Sequence, residues 1–259
     1  MLGSLLELVH QTVTSPWQAW PPNWPTAHAD AAANHRTSHR LHRSLHWTER
    51  STWCPLDVYW VHARDMLTPV EETMRALDDQ VRAGKVLYVG VSDWYAWEVA
   101  QANTLATLRG WTAFSGLQVP YSLGERTVER ELVPMAAQLG LAVTAWSPLG
   151  GGRLARGSKD PLVGALKNVA GEIGARATQV AIAWLRRRSG RVIPIIGVSK
   201  AEQMRENLGA LDIELSTDHL AELDKASSIE LGFPGDFLAD MQVRDAVYGS
   251  HRARIGEGM

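Results

Sequence analysis

A parallel β-sheet flanked by helices is the architecture predicted for this 259-residue chain, and three observations predict it. From Leu56 to about residue 228, short apolar runs alternate with longer amphipathic segments, the pattern of successive βα units. The composition, 45% hydrophobic and 21% charged with a formal net charge of -2, suits a globular core and gives no general electrostatic reason to bind nucleic acid or an anionic membrane. A single cysteine, Cys54, excludes an internal disulfide and a cysteine-based zinc site, and no apolar run approaches the roughly 18 residues of a membrane span. The opening Met1–Glu7 lacks a basic stretch, which makes it a poor secretory signal. Secreted, collagen-like and transmembrane classes are excluded, and a cytoplasmic α/β protein is the expectation.

Residues 1–55 differ in texture from the rest. They hold six of the nine histidines and no lysine, and Pro16, Pro21, Pro22 and Pro25 interrupt a Trp-rich stretch that cannot be a regular helix. This segment is read as irregular, with short helices at 4–12 and 38–47. The compact run Leu56–His62 is the first strand. Thr68-Pro69-Val70-Glu71 then has the form of a capping box with proline at the first helical position. Val70, Met74, Leu77 and Val81 recur at helical spacing up to Gly84. A strand over 85–91, a helix over 94–108, a strand over 116–119, a helix over 127–139 and a strand over 141–146 follow. Helices at 162–173 and 178–188, a strand at 192–196 and helices at 200–208 and 217–227 complete the alternation. No low-complexity linker divides residues 56–228, so 56–238 is read as one domain and 239–259 as a C-terminal tail.

Five βα units are recognisable, whereas a closed (β/α)8 barrel needs eight. Three more would need about 90 residues at this spacing, and only 55 precede the first strand. The count leaves two architectures: an open sheet, or a barrel without its first strands.

Parallel α/β folds place chemistry at the C-terminal ends of their strands. Those ends read His62, Ser92-Asp93, Gln118, Trp146-Ser147-Pro148 and Gly197-Val198-Ser199. Gly197–Lys200 leads into a helix whose N-terminus suits a phosphate, with Lys200, Gln203, Glu206 and Asn207 behind it; taken alone, an ordinary glycine turn explains this segment better. Gly150-Gly151-Gly152 does not form a dinucleotide fingerprint, because its spacing is wrong and no helix opens behind it. His35, His39, His42 and His46 would share one helical face, but Arg36, Arg40 and Arg43 are interleaved and oppose a dication, so a solvated basic segment is the reading there and no metal site is assigned.

Taken in order, Asp57–His62, Gly84–Val86 with Val89–Ser92, Leu117–Ser122, Ala145–Gly152, and Ile196–Ser199 with Glu206-Asn207-Leu208 resemble the aldo/keto reductases. The nearest branch holds the aryl-alcohol-dehydrogenase-like bacterial reductases and potassium-channel β subunits. The resemblance covers about residues 56–238. It implies a TIM-type (β/α)8 barrel, incomplete here with its first strands missing or replaced, in an N-terminally truncated or frame-disrupted chain. It also implies NADP(H) at the barrel rim and interconversion of carbonyls and alcohols, with a small aldehyde or ketone as substrate. By position, His62 is the family's active-site histidine, orienting and polarising the carbonyl. Ser92, Asp93 and Gln118 match positions holding the nicotinamide amide. Trp146, Ser147, Leu149 and Gly151 match the loop along the pyrophosphate, and Gly197, Ser199, Gln203, Glu206 and Asn207 the adenosine and 2′-phosphate end.

The family's proton-donating tyrosine, with its lysine and aspartate, precedes the histidine in family order. Here the only tyrosine before His62 is Tyr59, three residues away and hence on the opposite strand face. Tyr88 lies four residues below its strand end, about 13 Å from the rim. The alternative function is therefore a non-catalytic NADP(H)-binding or interaction protein, or a fragment without activity. A sheet missing three strands leaves apolar edges, from which self-association is expected.

Overall fold

The computed structural model describes residues 56–154, 160–188, 191–249 and 251. The segment 1–55, with its expected short helices, Cys54 and the histidine run, lies outside the described residues. Five strands follow chain order in one sheet, β1-β2-β3-β4-β5, with the β1–β2 and β4–β5 pairs parallel. The chain divides into two compact units at Gly116/Leu117, within β3.

The first unit, as described, consists of β1 (Leu56–His62), α1 (Val70–Arg82), β2 (Val86–Ser92), α2 (Ala96–Arg109) and the start of β3 (Phe114–Pro120). The β1–β2 register pairs Leu56 with Val86, Trp60 with Gly90 and His62 with Ser92. Because strand side chains alternate, Val58, Trp60 and His62 share a face with Tyr88, Gly90 and Ser92. Trp60 occupies that face: a Cβ added at Gly90 would lie 2.5 Å from its indole, and one at Gly116 2.8 Å. The two glycines are what let a tryptophan lie flat there. Met74 and Leu77 of α1, Val89 and Val91 of β2, and Val99 and Ala102 of α2 are buried.

The turn before α1 departs from the expected capping box. Thr68 gives its hydroxyl to Asp65 at 2.6 Å, and Pro69 rather than Thr68 occupies the cap position, without a side-chain cap. Asp65 also accepts from Leu67 N, so its carboxylate competes successfully for the hydroxyl that would have capped the helix. At the other end of α1, Asp78 is buried and accepts from the backbone N–H and hydroxyl of Thr112 and from Arg82. Burial alone would raise its carboxyl, but those hydrogen bonds and the Arg82 charge outweigh it and hold it below the usual carboxylate range.

The second unit continues through β3 to α3 (Leu132–Gln138), β4 (Ala142–Trp146), α4 (Pro161–Glu172), α5 (Ala177–Arg186), β5 (Arg191–Pro194), α6 (Ala201–Leu208), α7 (Thr217–Ala226), α8 (Gly235–Ala239) and α9 (Met241–Tyr248). The helix expected over 127–139 is broken into a single 3₁₀ turn, Thr127–Glu129, and α3. Pro134 accounts for the break: it has no N–H for the Arg130 carbonyl and its ring crowds that group, so it fits only within the first turn of a new helix. Within the C-terminal tail lies α9. Helix α4 packs on α5 and α7, and Leu166, Val180, Leu185 and Leu223 are buried.

An ionic cluster ties this unit together. Arg126 donates to Glu129 and Asp224, and Arg188 donates to Asp224 and to the hydroxyl of Tyr121. Both guanidinium groups approach the Trp184 ring, Arg126 at 5.2 Å and Arg188 at 4.7 Å, and its indole N–H donates to Asp224. Among the described residues, no helix is long and apolar enough to cross a membrane.

Candidate active site

The C-terminal ends of β1 and β2 meet by register, because His62 pairs with Ser92. His62 Nδ1 lies 3.3 Å from Ser92 Oγ and 3.3 Å from Asp93 Oδ2. Thus three of the residues singled out in the sequence form one cluster. The residue after each strand bends sharply: Ala63 and Asp93 both have a left-handed backbone, with φ of 59° and 58°. Non-glycine residues adopt this conformation uncommonly, mostly where surrounding structure enforces it. In the second unit Ser147, directly after β4, does the same with φ of 53°. Three strand ends therefore turn by the same device.

The cluster is not a nucleophilic relay. Such a relay needs the serine on one ring nitrogen and the carboxylate on the other. Here both partners address Nδ1. Nε2 is left as the ring atom for exchange with a ligand, and the His62 side chain is half exposed.

Behind the cluster lies an ion pair that sequence reasoning missed. Arg64 Nε donates to Glu98 Oε1 at 2.8 Å, with both side chains buried, and its guanidinium stacks 4.8 Å from the ring of Trp94. Trp94 in turn meets Phe114 edge-on at 5.8 Å. The pair fastens the loop after β1 to the first turns of α2. Its sequence signal was Glu98, a charge on the helix face otherwise marked by Val99 and Ala102. In the loops that follow β1 and β2 and in the first turn of α2, Met66, Leu67, Tyr95 and Trp97 expose apolar surface.

Tyr59 is not part of this face, and burial pushes its phenol above the ordinary value. Tyr88 shares the face but pairs with Val58, four residues below His62. Tyr121 is locked in the second unit, giving its hydroxyl to Glu129 at 2.6 Å; burial and that carboxylate push it up.

The remaining predicted positions lie in the second unit. Gln118 is half-buried in β3, and Trp146 and Ser147 are exposed at the end of β4. Leu149 precedes, and Gly151 lies within, a short 3₁₀ segment of left-handed glycines, Gly150–Gly152. Strand β5 stops at Pro194, two residues earlier than expected, and Gly197 and Ser199 lie in the open connection to α6. Gln203 Oε1 accepts from the backbone N–H and hydroxyl of Ser199, which brings those two together. Glu206 is engaged by Arg176 at 3.2 Å, and Asn207 is buried. The first turn of α6 carries no side-chain cap, which leaves its N–H groups available beside Lys200. Uncapped donors at a helix start, left-handed glycines and an exposed tryptophan match the chemistry of a phosphate-bearing dinucleotide. Among the described residues no group of His, Cys, Asp or Glu stands together as a metal site.

Comparison with known proteins identifies the family. Residues 23–228 match the model of the aldo/keto reductase family, reaching further toward the N-terminus than the sequence motifs do. Probable aryl-alcohol dehydrogenase AAD4 of Saccharomyces cerevisiae is 33% identical over 240 residues, covering 82% of this chain and 72% of the yeast protein. Norsolorinic acid reductase of Aspergillus flavus is 36% identical over 199 residues, and the chain spans 51% of its length. The crystal structure of the thermostable aldo-keto reductase Tm1743, in complex with the inhibitor epalrestat, superposes with a TM-score of 0.65 at 30% identity, covering 73% of this chain and 66% of that one. The five parallel βα units are thus part of a (β/α)8 barrel fold, and the chain belongs to the aldo/keto reductase family.

Proposed function

We propose that this chain is an NADP(H)-dependent oxidoreductase that interconverts aryl aldehydes and aryl alcohols at the end of β1. The observation that carries the reading is the His62–Ser92–Asp93 cluster at paired strand ends of an aldo/keto reductase fold. The aryl-alcohol dehydrogenase relatives and the exposed Met66, Leu67, Tyr95 and Trp97 support an aromatic substrate.

When bound, the reduced nicotinamide supplies hydride. Ser92, Asp93 and Gln118 are the residues that would hold its amide, a carboxylate being able to accept from an amide N–H and a hydroxyl or glutamine to donate to an amide carbonyl. Trp146, Ser147, Leu149 and Gly151 line the pyrophosphate. Gly197, Ser199, Gln203, Glu206 and Asn207 take the adenosine end, and Lys200 supplies positive charge toward the 2′-phosphate. His62 presents Nε2 to the carbonyl oxygen and orients it. A cytoplasmic location is part of the same proposal.

Turnover of an aryl aldehyde by the purified full-length chain, followed by nicotinamide absorbance with NADPH and with NADH, tests the reading. NADPH consumption that exceeds NADH consumption is the expected result. Cofactor binding without turnover would favour the non-catalytic reading instead, to which the position of Tyr59 on the opposite face lends weight.

A further inference from the structure

We propose that Arg64 and Glu98 are positioning residues of the active site, a buried ion pair that holds the two bent strand ends, and with them His62, at a cost to stability. The kinetic consequence of this inference rests on the oxidoreductase reading above; its structural part does not.

Strand pairing ends with His62 opposite Ser92 and with the Ala63 N–H donating to the Ser92 carbonyl at 3.1 Å. Beyond that bond the two strand ends turn through left-handed residues, Ala63 and Asp93. Neither is glycine, so each turn is held against its own backbone preference. The residues that come next are Arg64 and Trp94, and the guanidinium of one lies 4.8 Å from the ring of the other. Glu98, in the first turn of α2, accepts from Arg64 Nε at 2.8 Å. One cation thus joins the loop after β1, the loop after β2 and the start of α2. A shift of either turn breaks the stack or the hydrogen bond.

As a stabilising device the arrangement is poor. The Arg64 and Glu98 side chains are 11% and 3% exposed, so both charges have left most of their water behind. Glu98 Oε2 has no partner, so the two do not form the two-bond fork that makes an arginine–carboxylate pair strong. Arg64 Nη1 and Trp94 Nε1 are likewise buried without a hydrogen-bond partner among the described residues. Such orphaned atoms cost free energy, and a buried pair that carries them is worth no more than apolar side chains of similar size. Apolar side chains cannot supply direction. A planar cation that must meet a ring face and a carboxylate together accepts few geometries. Stability and position are therefore separable at this pair, and a packing role would not separate them.

Melting temperature and the His62 ring signals in NMR spectra of the full-length chain test the proposal without cofactor. Replacing both partners by apolar residues, Arg64→Met with Glu98→Leu, should leave the melting temperature at or above that of the parent. The same variant should shift and broaden the His62 signals. Arg64→Lys keeps the charge but loses the planar stack, and should fold and shift those signals too. With an aryl aldehyde and NADPH, both variants should lower kcat by about 10²-fold, the scale of a misplaced reacting group. A double variant that fails to fold or melts well below the parent shows a structural support and overturns the proposal. Unchanged His62 signals in Arg64→Lys, or a kcat within a few-fold of an active parent, overturn it as well. A folded parent without turnover sinks the oxidoreductase reading alone, because the ring signals and the melting temperature still decide the positioning role.

Discussion

At the scale of single residues, side chains on the first two strands are held by tight, specific neighbours. Gly90→Ala would place a methyl 2.5 Å from the Trp60 ring, and β2 and the indole cannot both keep their positions. Thermal denaturation should show a loss of about 1–3 kcal/mol, the usual cost of overpacking. Asp78 makes a second prediction. Its carboxyl lies below the usual range when folded, so its contribution is fully present above the unfolded value of about 3.9 and is lost as pH falls through the folded one. Denaturant midpoints measured down an acid series should fall more steeply for the parent than for Asp78→Asn, which has no such proton to gain. His62, Ser92 and Asp93 could be named from the sequence because each directly follows an apolar strand. Their mutual approach could not, since it depends on strand register and on the left-handed turns at Ala63 and Asp93, and alanine and aspartate carry no signal for that conformation.

Among the elements, strands and helices were legible wherever period and punctuation agreed. Val70, Met74 and Leu77 at helical spacing gave α1, and Gly110 in the left-handed region closes α2. The readings that failed were those in which a side chain had a better partner. Thr68 turned to Asp65 instead of capping α1, and Pro134 split one expected helix into a turn and α3. Asp160, by contrast, caps α4 by accepting from Leu162 N at 3.0 Å. Asp160→Ala should cost about 1 kcal/mol in chemical denaturation. The ionic cluster joining the Tyr121–Glu129 segment to α5 and α7 was invisible in sequence, because its members are separated by some hundred residues, as in the Arg126–Ser227 bond. Arg126→Ala should be more damaging than the cap variant, about 1.5–3 kcal/mol, because it removes the charged hydrogen bonds to Glu129 and leaves Arg188 alone to serve both Glu129 and Asp224.

For the whole molecule, the counting of βα units posed the right alternative, and family membership resolves it in favour of the barrel fold. The pattern was sufficient because parallel strands buried on both faces must be separated by amphipathic crossovers. Helix α9 buries no residue and begins beyond the family match at residue 228. Removing residues 241–259 should leave the melting temperature within about 1 °C, since surface changes of this kind alter stability little. The indole of Trp60, lying across Gly90 and Gly116 two residues beneath His62, has a further effect. It is a floor. A molecule that follows these strands down from His62 meets the indole before it meets the backbone of Gly90.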